Sequence, residues 1–413
     1  MESPVTIYVV HHPDCELAAE LASSLFDWFR LGYLGSDSND VGVPIYFRRS
    51  LCPDQKEIAP KIAWDEADNT VLIVLVDHKM VLCPNWRSAM EALAEKVHQD
   101  QSDTKKKRKC TLLPVVIHDS FYRTDKLYKH FNPVRLLKLS KSEMKRTVRR
   151  AATETIARVI RKEKKGDSPT PLKVFLSHAK RDGTEIAEAI RDGIRRFSQM
   201  EAWYDANNLA YGKSWESPMT EAAAKSTSAL IATVTDAYPT RPWCRREARL
   251  ARTPVPTSPK SNIWQVQPVV AVSSRGANWV RNAETLVGVP TIGWDTEAGP
   301  EQVARVLDRL VLEVLLMRIH VLLAEKLRTH LQKKYNKTKF SRLCFISWVP
   351  DVWTLSELRY RLKQLAARSR VAMPKQIIYP GHSLTDSEKR GLRPIVQTFH
   401  QDAALESFEE AWK

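Results

Sequence analysis

The chain has 413 residues, enough for two or three domains at ~100–200 residues each. With 43% hydrophobic and 27% charged residues it reads as an ordinary soluble globular protein. Its formal net charge of +16 allows a polyanionic partner but does not bear on fold. No apolar stretch follows Met1-Glu2-Ser3-Pro4, so no signal peptide is expected. The greasiest run, Val306 to Leu323, is broken by Asp308, Arg309, Glu313 and Arg318, so no membrane span is expected. The six cysteines (Cys15, Cys52, Cys83, Cys110, Cys244, Cys344) form no C-x-x-C pair. That fits neither a structural metal nor a disulfide framework, and it points to a reduced, cytoplasmic setting.

In chain order, Thr6 to Val10 reads as a buried strand and Glu16 to Phe29 as an amphipathic helix. Pro44 to Phe47 and Thr70 to Val76 follow as strands, Arg87 to Val97 as a helix and Leu112 to Ile117 as a strand. A basic helix from about Ser142 to Lys164 closes the first block. The turn-rich stretch Gly166-Asp167-Ser168-Pro169-Thr170-Pro171 marks a boundary. In the second block Lys173 to Ser177, Ala202 to Asp205, Ala229 to Val234, Val266 to Val272 and Pro290 to Trp294 read as strands. Thr184 to Phe197, Ser217 to Lys225 and Trp243 to Arg252 read as helices, and a long helix runs from Pro300 to about Tyr335. The third block gives a strand at Leu343 to Trp348, a helix from Thr354 to Ala367, a strand at Gln376 to Tyr379 and a helix from Thr385 to about Gln401. Strands alternating with helices predict α/β architecture, with flavodoxin-like doubly wound parallel sheets. The expected domains are 1–165, 171–335 with the long helix, and a smaller α/β module at 340–413.

The first two blocks share a rhythm. Ile7-Tyr8-Val9-Val10-His11-His12 opens one as Val174-Phe175-Leu176-Ser177-His178 opens the other. The strand Val71 to Val76 parallels Ala229 to Val234, and a tryptophan starts the next helix in each, Trp86 and Trp243. An old duplication is one explanation; the general rhythm of α/β domains is the other. Four residues after Trp243 comes Glu247. The fourth residue after Trp86 is Met90, and Glu91 lies one step, about 100°, further around the helix.

Taken in order, Val174 to His178, Trp203-Tyr204-Asp205, Leu209, Gly212 to Trp215, Ser226, Ala229 to Val234 and Trp243-Cys244-Arg245-Arg246-Glu247 resemble a TIR (Toll/interleukin-1 receptor) domain. The resemblance runs from about Pro171 to Asp295 and is to the prokaryotic, NAD-cleaving branch. It implies an NAD+ glycohydrolase, with a cyclase variant left open, acting in antiphage defence. NAD+ would be the substrate, with no further cofactor and no metal. The first block would be a TIR-like copy lacking the catalytic carboxylate.

In the family's W-x-x-x-E position stand Trp243 and Glu247, and Glu247 would be the catalytic carboxylate. Nicotinamide leaves as a neutral molecule, so no proton need be supplied. One fixed negative charge near an oxocarbenium-like ribose then suffices. Glu247 is expected to be partly exposed; the plain alternative is a solvated helix residue paired with Arg246 or Arg249. Ser177, His178, Ala179 and Lys180 follow the first strand of this block, at the carboxyl edge where doubly wound sheets place ligands. Lys180 and Arg181 could meet the pyrophosphate, or the loop could be a solvated turn.

Asp205 to Trp215 matches the family's mobile BB loop, so Asp205, Ala210, Lys213 and Trp215 are further substrate-binding candidates. Ala210 stands where some family members carry a glutamate. Self-association through this loop, and a protein or nucleic-acid activator, are the partners implied. Gly212-Lys213-Ser214 is no P-loop, because Asn207 occupies the position of its first glycine. Lys105 to Lys109 is either a solvated loop or a phosphate-binding patch. Alternative functions are a non-catalytic TIR scaffold or a nucleic-acid-responsive sensor.

Overall fold

The computed structural model describes residues 3–31, 42–54, 57–102, 109–160, 171–203, 228–259, 261–275, 283–295, 299–369, 372–381 and 384–413. Asp205, Ala210, Lys213 and Trp215, the helix expected over 217–225, and residues 105–108 of the basic run lie outside them. The chain divides into two compact units, Glu2–Pro169 and Thr170–Lys413.

The unit Glu2–Pro169 is built on a parallel sheet whose two central strands, Val5–Val10 and Asn69–Val76, are buried along their whole length. Its strands are β1 (Val5–Val10), β2 (Ile45–Arg48), β5 (Asn69–Val76), β6 (Lys109–Val116) and the short β7 (Val134–Arg135). A separate antiparallel pair is formed by β3 (Cys52–Asp54) and β4 (Glu57–Ala59). The burial of β1 and β5 is what a sheet covered on both faces requires. The strand order is β2-β1-β5-β6-β7, all parallel. Counted within the sheet this is the flavodoxin-like order, which reverses between its first and third strands. The helix Lys141–Val159 starts at a capping box between Ser140 and Glu143.

The unit Thr170–Lys413 contains two sheets. The first uses β8 (Lys173–His178), β9 (Glu201–Trp203) and β10 (Ala229–Val234). The chain then leaves it to form β11 (Val255–Pro256) and β12 (Ile263–Gln265), and returns as β13 (Val269–Ser273) and β14 (Thr291–Gly293). Its order, β9-β8-β10-β13-β14, is the same parallel arrangement as in the other unit. The second sheet adds β15 (Leu343–Ile346), β16 (Gln376–Tyr379) and β17 (Ala404–Ser407) beside β12, in the order β11-β12-β15-β16-β17.

The strand expected over Val266 to Val272 begins only at Val269, and a separate short strand, β12, precedes it in a different sheet. Likewise, the module expected at 340–413 draws its first two strands from 255–265. Residues 171–335 and 340–413 consequently share one unit. The reason is local: Gln267-Pro268 interrupts the apolar run, and the buried Ile263 and Trp264 face the later sheet's cores.

The helix Gly299–Lys334 packs on both sheets of this unit, against β10 and β13 in one and β12 and β15 in the other. It also meets the helix Thr184–Phe197, where a Cβ added at Gly193 would collide with the Val303 side chain. Among the described residues no helix is long and apolar enough to cross a membrane, and no cluster of His, Cys, Asp or Glu fits a metal ion.

Candidate functional site

The sheet order reverses between β8 and β10, and doubly wound sheets place a ligand crevice at the carboxyl ends of such a pair of strands. Ser177 sits in the last turn of the β8 ladder opposite Ala232, and only 1% of it is exposed. His178 follows, half-buried, then the buried Ala179 and the exposed Lys180 and Arg181. The loop closes tightly: Gly183 N donates to Ala179 O at 2.8 Å. Asp182 ties it to the end of β10, accepting from Thr235 Oγ1 at 2.6 Å and from Ala237 N at 2.9 Å. Lys180 and Arg181 are thus presented at the rim of the crevice on an anchored loop.

The second wall is the helix Pro242–Arg252, which has proline in its first turn and an inward face of Cys244, Glu247, Ala248 and Ala251. Glu247 is 6% exposed, so the expectation of a partly exposed carboxylate is corrected. Its spacing from Cys244 and Ala251 turns it toward the sheet. Ser177 Oγ donates to Glu247 Oε2 at 2.5 Å, across two elements far apart in sequence. The neighbouring arginines are engaged elsewhere. Arg246 lies over the Trp243 ring, 4.7 Å from its centroid, and Arg249 Nη2 is 3.6 Å from Glu284.

Sequence reasoning missed a third member, Tyr238, which is fully buried in the turn after β10. Its hydroxyl is 2.9 Å from Ser177 Oγ and 3.4 Å from the Cys244 carbonyl. Ser177 has one proton and gives it to Glu247, so Tyr238 donates to Ser177. Burial, with Cys244 and Glu247 adding to it, raises the phenol well above its ordinary range, which keeps that proton in place. The result is a directed chain from Tyr238 through Ser177 to Glu247. Cys244 is no nucleophile. Burial and the nearby Glu247 push its thiol up to about 12, and it donates to the His178 carbonyl at 3.5 Å.

The unit Glu2–Pro169 carries the same frame without the polar groups. Pairing of Tyr8 with Leu72 and of Phe175 with Leu230 sets the two sheets in register. From β5 and β10 onward the two stretches run without a gap to Pro84 and Pro242, each the first residue of a helix. Buried positions then coincide: Trp86, Ala89, Met90 and Leu93 with Cys244, Glu247, Ala248 and Ala251. Trp86 therefore matches Cys244 rather than Trp243, and Ala89 stands where Glu247 does. Val10 and Met80 fall on Ser177 and Tyr238. All three replacements are apolar and buried.

Three comparisons bear on this geometry. Residues 174–280 match the family model described as TIR domain. No curated protein matches the chain. Among solved structures, PH0766 from Pyrococcus horikoshii OT3 is similar at 10% identity with a TM-score of 0.28, over 77% of this chain and 66% of that one. The chain thus spans just under two thirds of that protein, and at this TM-score the likeness carries no argument.

Proposed function

Because residues 174–280 form a TIR domain, we propose that the chain is an NAD+ glycohydrolase in which Glu247 supplies the catalytic charge. The observation that carries this reading is the Glu247 carboxylate, held by the Ser177 hydroxyl at the switch point of a parallel sheet. As the C1′–N bond of the nicotinamide riboside breaks, its electron pair moves onto the pyridinium nitrogen and nicotinamide leaves neutral. Positive charge then spreads over the ribose ring oxygen and C1′, and a fixed carboxylate beside it lowers the barrier. Water adds at C1′ and releases a proton, giving ADP-ribose; capture by the adenine ring would give a cyclic product instead.

Ser177 and Tyr238 act through Glu247 by fixing its position. Lys180 and Arg181, exposed at the crevice rim, suit the pyrophosphate. Ala179, His178 and Trp243 would form the rest of the wall. Asp205, Ala210, Lys213 and Trp215 would complete the pocket and join neighbouring copies. In a prokaryotic cytoplasm such an activity would deplete NAD+ as a defence response, with an activator releasing it.

One observation favours a non-catalytic scaffold, namely the 6% exposure of Glu247. Nicotinamide release by the full chain, measured across a dilution series and with Glu247→Gln, separates the readings. The enzyme reading expects the variant to fold normally and lose about 100-fold or more in turnover. A wild-type chain that releases no nicotinamide at any concentration supports the scaffold. A Gln variant working at the wild-type rate removes Glu247 from the chemistry.

A further inference from the structure

The face of the Glu247 helix that points away from the sheet borders a cleft of about 580 Å³. Its far wall is the helix Val352–Ser369, in the same unit. Arg245, Arg246 and Arg249 line it from one side, and Glu357 and Arg361 from the other. Four arginines thus line a single concavity that holds one carboxylate.

The arrangement is unfavourable when empty. Arg245 and Arg249 are one turn apart, and like charges at that spacing destabilise a helix. The helix begins at Pro242 with no acidic residue in its first turn, so its positive dipole end adds to the same field. Part of it is relieved on the protein, where Arg246 stacks on the Trp243 ring. Arg361 Nε is shut off from solvent and lies 3.4 Å from Glu357 Oε1 without hydrogen-bond geometry. Arg249 reaches the exposed Glu284 at 3.6 Å, outside the cleft lining. Arg245 pairs with no carboxylate among the described residues.

We propose that this cleft binds a small phosphate-bearing ligand. Guanidinium groups match phosphate oxygens in bidentate pairs, and several of them around one hollow can share the oxygens of a diphosphate. The volume falls within the ~300–1,000 Å³ range of small-molecule sites. A nucleic-acid strand would need an extended basic track with stacking aromatics, whereas this site is a compact, half-open cleft between two helices. Glu357 is the acceptor for a hydroxyl or amino group beside the phosphates, which suits a nucleotide. Occupancy of the cleft is independent of whether Glu247 cleaves NAD+.

The test is calorimetric titration of the full-length protein with inorganic pyrophosphate, ADP and a single-stranded DNA oligomer at physiological salt. Arg245→Ala and Arg361→Ala are compared with the wild type, and thermal melting confirms that each folds. The expected result is one-to-one binding of pyrophosphate or ADP that weakens about tenfold or more in each variant. Tighter binding of ADP than pyrophosphate marks a nucleotide as the occupant; equal affinity marks the phosphates alone, and both uphold the site. If a variant unfolds, amide exchange on the wild type decides. Ligand-dependent protection across residues 242–253 and 352–362 upholds the proposal, and its absence overturns it. Phosphate binding unchanged in both folded variants, or oligomer binding without any pyrophosphate or ADP binding, also overturns it.

Discussion

Replacing Asp351 with Asn should cost the unit Thr170–Lys413 about 2–3 kcal/mol. Arg252, in the last turn of the Glu247 helix, is 6% exposed. Its Nη1 donates to the carbonyls of Thr285 and Val287 at 2.9 and 2.8 Å, and its Nη2 to Asp351 Oδ2 at 2.5 Å. Asp351 also holds the start of the helix Val352–Ser369. Its Oδ1 accepts from Trp353 N and Thr354 N, each at 3.0 Å, and its Oδ2 from Thr354 Oγ1 at 2.7 Å. Asparagine keeps the Oδ1 cap, since the two residues cap equally well, but turns an N–H donor toward the guanidinium. Removing one partner of a buried pair costs ~3–5 kcal/mol. The Asp351 side chain is 25% exposed, and solvent screening there brings the figure down to about 2–3 kcal/mol. Arg252 also lies 6.0 Å from the Trp353 ring centroid, and urea unfolding followed by far-ultraviolet circular dichroism measures the loss of stability. In a double-mutant cycle with Arg252→Met, the paired change should cost at least ~1 kcal/mol less than the sum of the single changes. A loss below ~0.5 kcal/mol for Asp351→Asn, or strict additivity in the cycle, would refute the reasoning.

The polar chain gives a second prediction. Ser177→Ala should lower turnover about 10–100-fold, as loss of a hydrogen bond to a charged group implies. It should also move the acid limb of the pH–rate profile upward, because an ionised carboxylate that loses a donor is easier to protonate. A rate loss with no shift of that limb would count against the positioning role. In the other unit, Ala89→Glu should produce no nicotinamide release when introduced into a Glu247→Gln chain. It should destabilise that unit by ~3 kcal/mol or more, because Val10 and Met80 offer the new carboxylate no donor. Glu91→Gln, half-buried on the same helix, should leave turnover unchanged and stability within about 0.5 kcal/mol in denaturant titration. His320 supplies an acid sensitivity. Its Nδ1 is 3.2 Å from the Ser347 carbonyl, and burial lowers its pKa from 6.5 to about 4. The unfolded chain therefore takes up the proton first, and stability is lost as pH falls from about 6.5 toward 4. Between pH 7 and 5 the loss should be ~2 kcal/mol; a His320→Gln chain with the same pH slope of melting would refute this.

Much of the fold was legible because its strands are continuous apolar runs. Val71 to Val76, Ala229 to Val234 and Gln376 to Tyr379 all fall where the sequence puts them. The helix that carries Glu247 also falls where the sequence puts it, but the burial of the carboxylate against the sheet was not read from the spacing. Tyr238 was not legible, because a tyrosine in a turn carries no periodic signal and only its depth reveals it. The matched distance from strand to helix proline in the two units was the one available cue, and it aligns Tyr238 with the equally buried Met80. The eye-catching tryptophans hid that frame, since Trp86 points inward at 6% exposure while Trp243 is only half-buried. The strand at Ile263 to Gln265 was missed, and the next was begun three residues early at Val266, because hydrophobicity does not say which sheet a residue joins.

The excursion of β11 and β12 into the later sheet limits how this gene can be reshuffled. Ile263 and Trp264 pair with Phe345 and Ile346, so the sequence encoding one sheet is nested inside that encoding the other. A recombination that ended the message near residue 335 would leave β12 with a bare hydrogen-bonding edge and a buried tryptophan in water. The TIR domain and its C-terminal companion must therefore be inherited as a single piece. Any lineage that swapped the companion for another would first have had to repair the strand it left behind.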